Sequence, residues 1–271
     1  MQESCNSCYN SNVCILYVFL SQKGVCDMGQ SKNSQAQIIR KQSSFRELMI
    51  RWSFFVIGLI ILAFGISLTI QAEMLGIGPW DVFHVGLNKQ FGLTVGTWSI
   101  IAGIVVVGFT SAVTKSFPQI GTILNMLLIG VFIDVFLFIL PDPQAVWTNI
   151  VVFVLGVVVL AYGIGIYVAP ELGAGPRDGL MLVIRDLTGL SVQWVRNGIE
   201  IIVFLLGWML GGPVGVGTIF IAFFLGTIVG YSLPQSKKLL DYCIQRGERD
   251  ENLNKRSLRS NHHDRSSQKI R

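Results

Sequence analysis

Charge is what this chain has least of for its length. Only 14% of its 271 residues are Asp, Glu, Lys or Arg, against 51% hydrophobic ones and a mean hydropathy of +0.57. Soluble domains carry about a quarter charged residues, so this composition excludes one and points to a helical membrane protein. Catalytic signatures are missing as well. There is no HExxH, no GxSxG, no Walker A sequence, and no cluster of His and carboxylates at metal-ligand spacing. No enzyme, no cofactor and no metal centre is expected. Gly163, Gly165, Gly173 and Gly175 mimic a dinucleotide fingerprint, but they lie in an apolar run and its exit, not after a strand. Cysteine is nearly confined to the first residues, as Cys5, Cys8, Cys14 and Cys26. Cys5 and Cys8 form a CxxC with no second CxxC at ribbon spacing, so a disordered tail is the plainer reading than zinc or redox chemistry. The run Val13–Leu20 is too short to span a bilayer and lacks a basic flank and a small-x-small cleavage site. Met28 is an alternative start.

What charge there is falls unevenly. Between Trp52 and Pro234 stand five basic and eight acidic residues, while the two flanks hold 16 basic and 8 acidic ones, so the core carries −3 and the flanks +8. Beside a membrane core, basic flanks follow from the positive-inside rule, and no nucleic-acid partner is expected.

A membrane span needs about 20 apolar residues. Such runs occur at Trp52–Ile70, Val95–Val113, Ile120–Leu140, Ile150–Val168, Val195–Leu210 and Val214–Leu233, which predicts six spans. The fifth is the weakest, because Asn197 and Glu200 interrupt its first turns; without it five remain. With the segment holding Arg40, Lys41, Arg46 and Arg51 inside, Lys115, Arg177, Arg185, Arg196 and the Lys237-Lys238 tail also fall inside, and Lys89 and Asp142 outside. Both termini are then cytoplasmic in a bacterial cell membrane. The six tryptophans lie near span ends or in the first motif, as interfacial anchors do.

Gly76-Ile77-Gly78-Pro79-Trp80-Asp81 returns as Gly173-Ala174-Gly175-Pro176-Arg177-Asp178. Further matches keep the same order. Leu62-Ala63-Phe64-Gly65-Ile66 pairs with Leu160-Ala161-Tyr162-Gly163-Ile164, Gly92-Leu93-Thr94-Val95 with Gly189-Leu190-Ser191-Val192, and Gly121-Thr122-Ile123 with Gly217-Thr218-Ile219. An ordered series of Gly, Pro and Asp anchors predicts two copies of one unit. Three spans per copy is an odd number, so the second copy is inverted in the membrane. The resulting fold class is an all-α polytopic bundle of six spans as two inverted three-span repeats. Residues 1–50 form a polar cytoplasmic segment, 51–141 and 142–234 the two membrane units, and 235–271 a basic cytoplasmic tail.

Each motif reads as a break followed by a helix start: glycines at the turn, proline at the first helical position, aspartate in the first turn. The helices expected from it, Pro79–Gln90 and Pro176–Leu187, are about half a bilayer long at 1.5 Å per residue. They either lie flat as amphipathic interfacial helices or dip in as re-entrant half-helices with the breaks toward a cavity.

The pattern GxGPWD, then HxGL, QFGLTVGTWSII, and Gly121, Thr122, Asn125, Gly130 and Asp134 resembles the YczE-type proteins of the YitT/YczE group of bacterial integral membrane proteins. The resemblance runs from about Arg51 to Pro234. It implies a plasma-membrane protein with five or six spans, no established molecular activity and no catalytic residues to carry over. The YitT branch adds a soluble C-terminal domain that this chain does not match.

Among the polar residues of the core, Asp134 stands deepest in an apolar run and is the first candidate for ligand or ion binding; the plainer alternative is a carboxylate near a helix end. Asp81 and Asp178 are candidates with an equally plain capping role. Glu73 and Glu171 precede the two motifs at matching positions. His84 offers a proton relay or simply polar surface. Asn125 offers a ligand or an interhelical hydrogen bond. The glycines and prolines of the breaks, Gly76, Gly78, Pro79, Gly173, Gly175 and Pro176, shape the backbone, and Arg196 and Glu200 are spaced to pair. These residues suit a small-solute or ion transporter. The alternative is a non-transporting membrane scaffold or accessory protein. The expected partners are the lipid bilayer and a small solute of unknown identity, with self-association into a homo-oligomer left open.

Overall fold

A computed structural model describes residues 45–141, 143–173 and 175–267, with side chains through residue 246. The polar segment that holds the CxxC lies outside the described residues, as does Asp142. Among the described residues the chain is all-helical: α1 (Phe45–Gln71), a 3-10 turn at Glu73–Leu75, α2 (Pro79–Phe91), α3 (Val95–Thr114), α4 (Ile120–Ile139), α5 (Val146–Val168), α6 (Pro176–Thr188), α7 (Val192–Met209) and α8 (Val216–Ser267).

Five stretches are long and apolar enough to cross a membrane: α1, α3, α4, α5 and the Val216–Arg246 part of α8. The run expected as the fifth span, Val195–Leu210, does not reach that standard alone. It becomes α7, which qualifies only together with α6, from which it turns by 119° at the short break between them. Arg196 and Glu200 in its first turns pair at 3.0 Å, and Gly211 ends it in a left-handed conformation, φ +81°. Two terminal boundaries also differ from expectation. Helix α1 begins at Phe45, inside the segment read as tail, and α8 runs through Pro234 to Ser267, so residues 235–267 are helical.

The centre of the bundle is the α1–α5 pair. Phe55, Leu59 and Ala63 of α1 and Val157 and Ala161 of α5 are almost completely buried, and between two helices as apolar as the lipid tails it is close van der Waals packing of such side chains that holds the pair together. The two helices run antiparallel: Gly58 lies against Tyr167, Gly65 against Leu160, Gly163 against Leu62, and Gly156 against Thr69. A Cβ at Gly65 or Gly163 would overlap the facing backbone, so these glycines set how closely the helices approach.

Around this axis α4 packs on α1 and α8 on α5. Helix α2 lies against α7 and α3, and α6 against α3 and α7. Hydroxyls tie the layers where apolar side chains cannot: Ser232 Oγ donates to the Ala161 carbonyl at 2.8 Å, and Ser67 Oγ lies 3.4 Å from that of Ile133. The entrances of α4 and α8 each rest on one of the breaks, Gly121 against the Leu172 carbonyl and Gly217 against the Leu75 carbonyl.

Candidate functional site

The two motif helices form where the punctuation puts them, each 13 residues long with proline at its first position. Gly78 and Gly175 are the capping residues, with φ −62° and −59° and extended ψ. Their Asp81 and Asp178 stand three positions on, where a carboxylate reaches back to the helix end. Asp178 Oδ2 lies 3.6 Å from the point a Cβ would occupy at Gly175, and Asp81 Oδ2 lies directly beside Gly78.

The two helix starts meet. The Arg177 guanidinium carbon stands 4.6 Å from the centre of the Trp80 ring. These residues occupy equivalent positions in the two motifs. Trp80 is buried, whereas Arg177 keeps solvent-accessible surface although protein groups surround it. Arg177 interacts electrostatically with Asp81, Tyr167, Asp178 and Glu200, and with His84. No carboxylate among the described residues comes within ion-pair distance of it, so the charges face one another without direct contact.

His84 and Asn125 complete the junction. The His84 ring lies 6.3 Å from Trp80 and 5.9 Å from Phe83. Around the point a Cβ would occupy at Gly175 stand the Tyr167 hydroxyl at 3.5 Å, Asp178 Oδ2 at 3.6 Å and Asn125 Oδ1 at 3.8 Å. His84 and Asn125 are 2% and 3% exposed, and His84 Nε2 and Asn125 Nδ2 find no hydrogen-bond partner among the described residues. An unmet buried polar atom costs about 1–3 kcal/mol, so two of them near the two helix starts mark this place as more than packing.

Of the candidates read from sequence, Asp81, Asp178, His84 and Asn125 thus gather here, with the breaks at Gly78-Pro79 and Gly175-Pro176. His84 is buried in the bundle, not on polar surface, and α2, the helix that carries it, packs against both α7 and α3. The other three acidic candidates stand apart. Asp134 accepts hydrogen bonds from the Gly96 N–H at 2.8 Å and from the Thr94 hydroxyl, and so closes the start of α3. Glu73 pairs with Lys89 at 3.4 Å, and Glu171 with Lys237 at 2.7 Å.

Sequence reasoning left Trp80, Tyr167 and Arg177 out of the candidate set. Trp80 is buried in the protein, where interfacial anchoring does not account for it, and Arg177 stands over its ring. A usable signal was present, since Trp80 and Arg177 are where two otherwise similar motifs diverge in chemistry.

The family of unknown function DUF6198 matches residues 49–234, from α1 to the Pro234 position of α8, and includes every residue of the junction. The chain belongs to that family. The expected likeness to YczE-type proteins holds. Over 201 residues the chain is 56% identical to the uncharacterized membrane protein YczE of Bacillus subtilis (strain 168), covering 74% of this chain and 94% of that one. It is 29% identical over 187 residues to the uncharacterized protein YyaS of the same organism, 68% of this chain and 92% of the relative. An uncharacterized protein of Haemophilus influenzae is 35% identical over 181 residues, 67% of this chain and 82% of that protein. No solved structure matches the chain. With its apolar helices, this DUF6198 member is a multi-pass membrane protein.

Proposed function

We propose that this protein is a small-solute or ion transporter of the bacterial cell membrane, with both termini cytoplasmic and two inverted three-span units whose breaks share one binding site. The observation that carries the reading is the junction itself. Two carboxylates, an arginine, a histidine and an asparagine gather where two helices begin, in a bundle built mainly from apolar helices. Charged groups within a membrane bundle are costly and occur where a water-filled path or a ligand needs them. Discontinuous helices whose N-termini converge between two halves are the architecture in which transporters hold solutes.

The packing supports two inverted units. Gly65 on Leu160 and Gly163 on Leu62 are the same contact with the two halves exchanged, and so are Gly76 on Thr218 and Gly173 on Thr122. Helix α2 on α7 likewise exchanges with α6 on α3. On this reading α2 and α6 are re-entrant half-helices, not helices lying flat on the membrane.

The test is a solute-accumulation screen comparing cells deleted for the gene with cells complemented by the wild type and by Arg177→Gln. A transporter gives at least one solute whose accumulation changes with the wild type and reverts with the variant at equal membrane abundance. No difference across a broad solute panel overturns transport and favours a non-transporting scaffold.

A further inference from the structure

The hydrogen-bond balance of the junction is one-sided. Arg177 carries five N–H donors and donates no side-chain hydrogen bond among the described residues, its clearest contact being the face of Trp80. Asn125 Nδ2 is a buried donor with no acceptor at full hydrogen-bond geometry, the Tyr167 hydroxyl being its neighbouring oxygen, and His84 Nε2 is a second such position when it bears the ring proton. The first turns of α2 and α6 add backbone N–H groups that no helical carbonyl can take up. On the acceptor side, Asp178 lies beside Gly175 and Asp81 against Gly78. The Asn125 and Tyr167 oxygens stand together at the start of α6. Donors from α2, α4 and α6 therefore gather about the two helix starts and outnumber the acceptors offered to them.

Charge narrows what would satisfy them. Arg177 contributes +1 and each helix start about half a positive charge, against −2 from Asp81 and Asp178, a sum near zero. The pair Arg196 and Glu200 is closed on itself. A junction already near neutrality tolerates one added charge far better than two.

We propose that the junction binds a small monocarboxylate, its oxygens received by Arg177, Asn125 Nδ2 and His84 Nε2 and by the N–H groups of the two helix starts. This rests on the transporter reading for the location of the site and adds the class of ligand. Trp80 holds the guanidinium in place by stacking and leaves its N–H edge to the carboxylate, as arginine does when it bridges an aromatic ring and an anion.

The experiment uses the purified full-length protein in lipid nanodiscs. Thermal unfolding is followed in sodium acetate, propionate, lactate and benzoate, with sodium chloride and sodium sulfate as references at equal sodium concentration. At least one monocarboxylate should raise the unfolding midpoint by several degrees over chloride, in proportion to the logarithm of its concentration above saturation, and sulfate should not. The rise should vanish in Asn125→Asp, which keeps the size of the side chain and reverses its hydrogen-bonding polarity, and in Arg177→Gln. Both variants must be monodisperse; if one is not, His84→Phe is the replacement. No midpoint shift with any monocarboxylate, an equal shift with sulfate, or a shift that survives in the variants overturns the proposal. Binding without accumulation in cells would sink transport and leave the carboxylate site standing. Accumulation of a cationic or neutral solute with no carboxylate binding would do the reverse.

Discussion

Arg177 stacks on Trp80 across the boundary between the two halves of the chain, with 4.6 Å from guanidinium carbon to ring centre. Nothing else in the described structure joins the two breaks so directly. The contact converts two separate helix starts into one site.

The stacking should be measurable as a coupling. In a double-mutant cycle of Trp80→Leu and Arg177→Gln, followed by unfolding in detergent, the two losses should be non-additive by about 0.5–2 kcal/mol, the range for a cation–π pair from exposed to desolvated settings. Additive losses would mean that the two residues do not support each other.

The α1–α5 axis tolerates no side chain at its glycines. Gly65→Val and Gly163→Val should each destabilise the protein by about 1–3 kcal/mol, through overpacking against Leu160 and Leu62. Thermal unfolding and membrane abundance are the readouts. Gly108, which faces open space, provides the control, and Gly108→Val should cost well under 1 kcal/mol.

Asp134 is occupied as the cap of α3. Asp134→Asn should therefore lower stability by about 1 kcal/mol while solute accumulation, once a solute is known, stays near the wild-type level. Loss of accumulation at unchanged stability would return Asp134 to the binding machinery.

Much of the fold was legible because the signals are local. Glycine and proline punctuation placed α2 and α6 to within a residue at each end, and long apolar runs placed α1, α3, α4 and α5. The site was legible only in part. Asp81 and Asp178 announce themselves by position, but the meeting of their two helix starts, Trp80 against Arg177, is encoded by no short-range pattern. A single histidine in a mixed helix looks like surface until the bundle closes over that helix, as it does at His84. Asp134 was visible as a carboxylate in an apolar run. Its partner, the start of α3, lies 38 residues away, so its capping role appears only in three dimensions. Residues past Pro234 are basic and polar and read as a solvated tail, yet nothing in them breaks the helix that α8 begins.

Orientation rests on loop charges. With or without Arg177, the count of Lys115, Arg185, Arg196 and the Lys237-Lys238 pair predicts the same cytoplasmic side. Reporter fusions after Lys115 and after Lys237 should report cytoplasm, and one after Pro141 the outside. A cytoplasmic signal after Pro141 would contradict the inverted arrangement of the two halves.

The shared site can be tested in intact membranes with cysteines at positions 80 and 177 in a chain whose five native cysteines are replaced by serine. A protease site placed after Pro141 separates the halves, so that only a covalent bridge keeps the fragments together. If the two breaks meet as described, a short bis-maleimide joins the fragments of Trp80→Cys/Arg177→Cys within one chain, and neither single variant gives that product. Two cysteines that each react with a simple maleimide yet are never bridged would contradict a common site built from both halves.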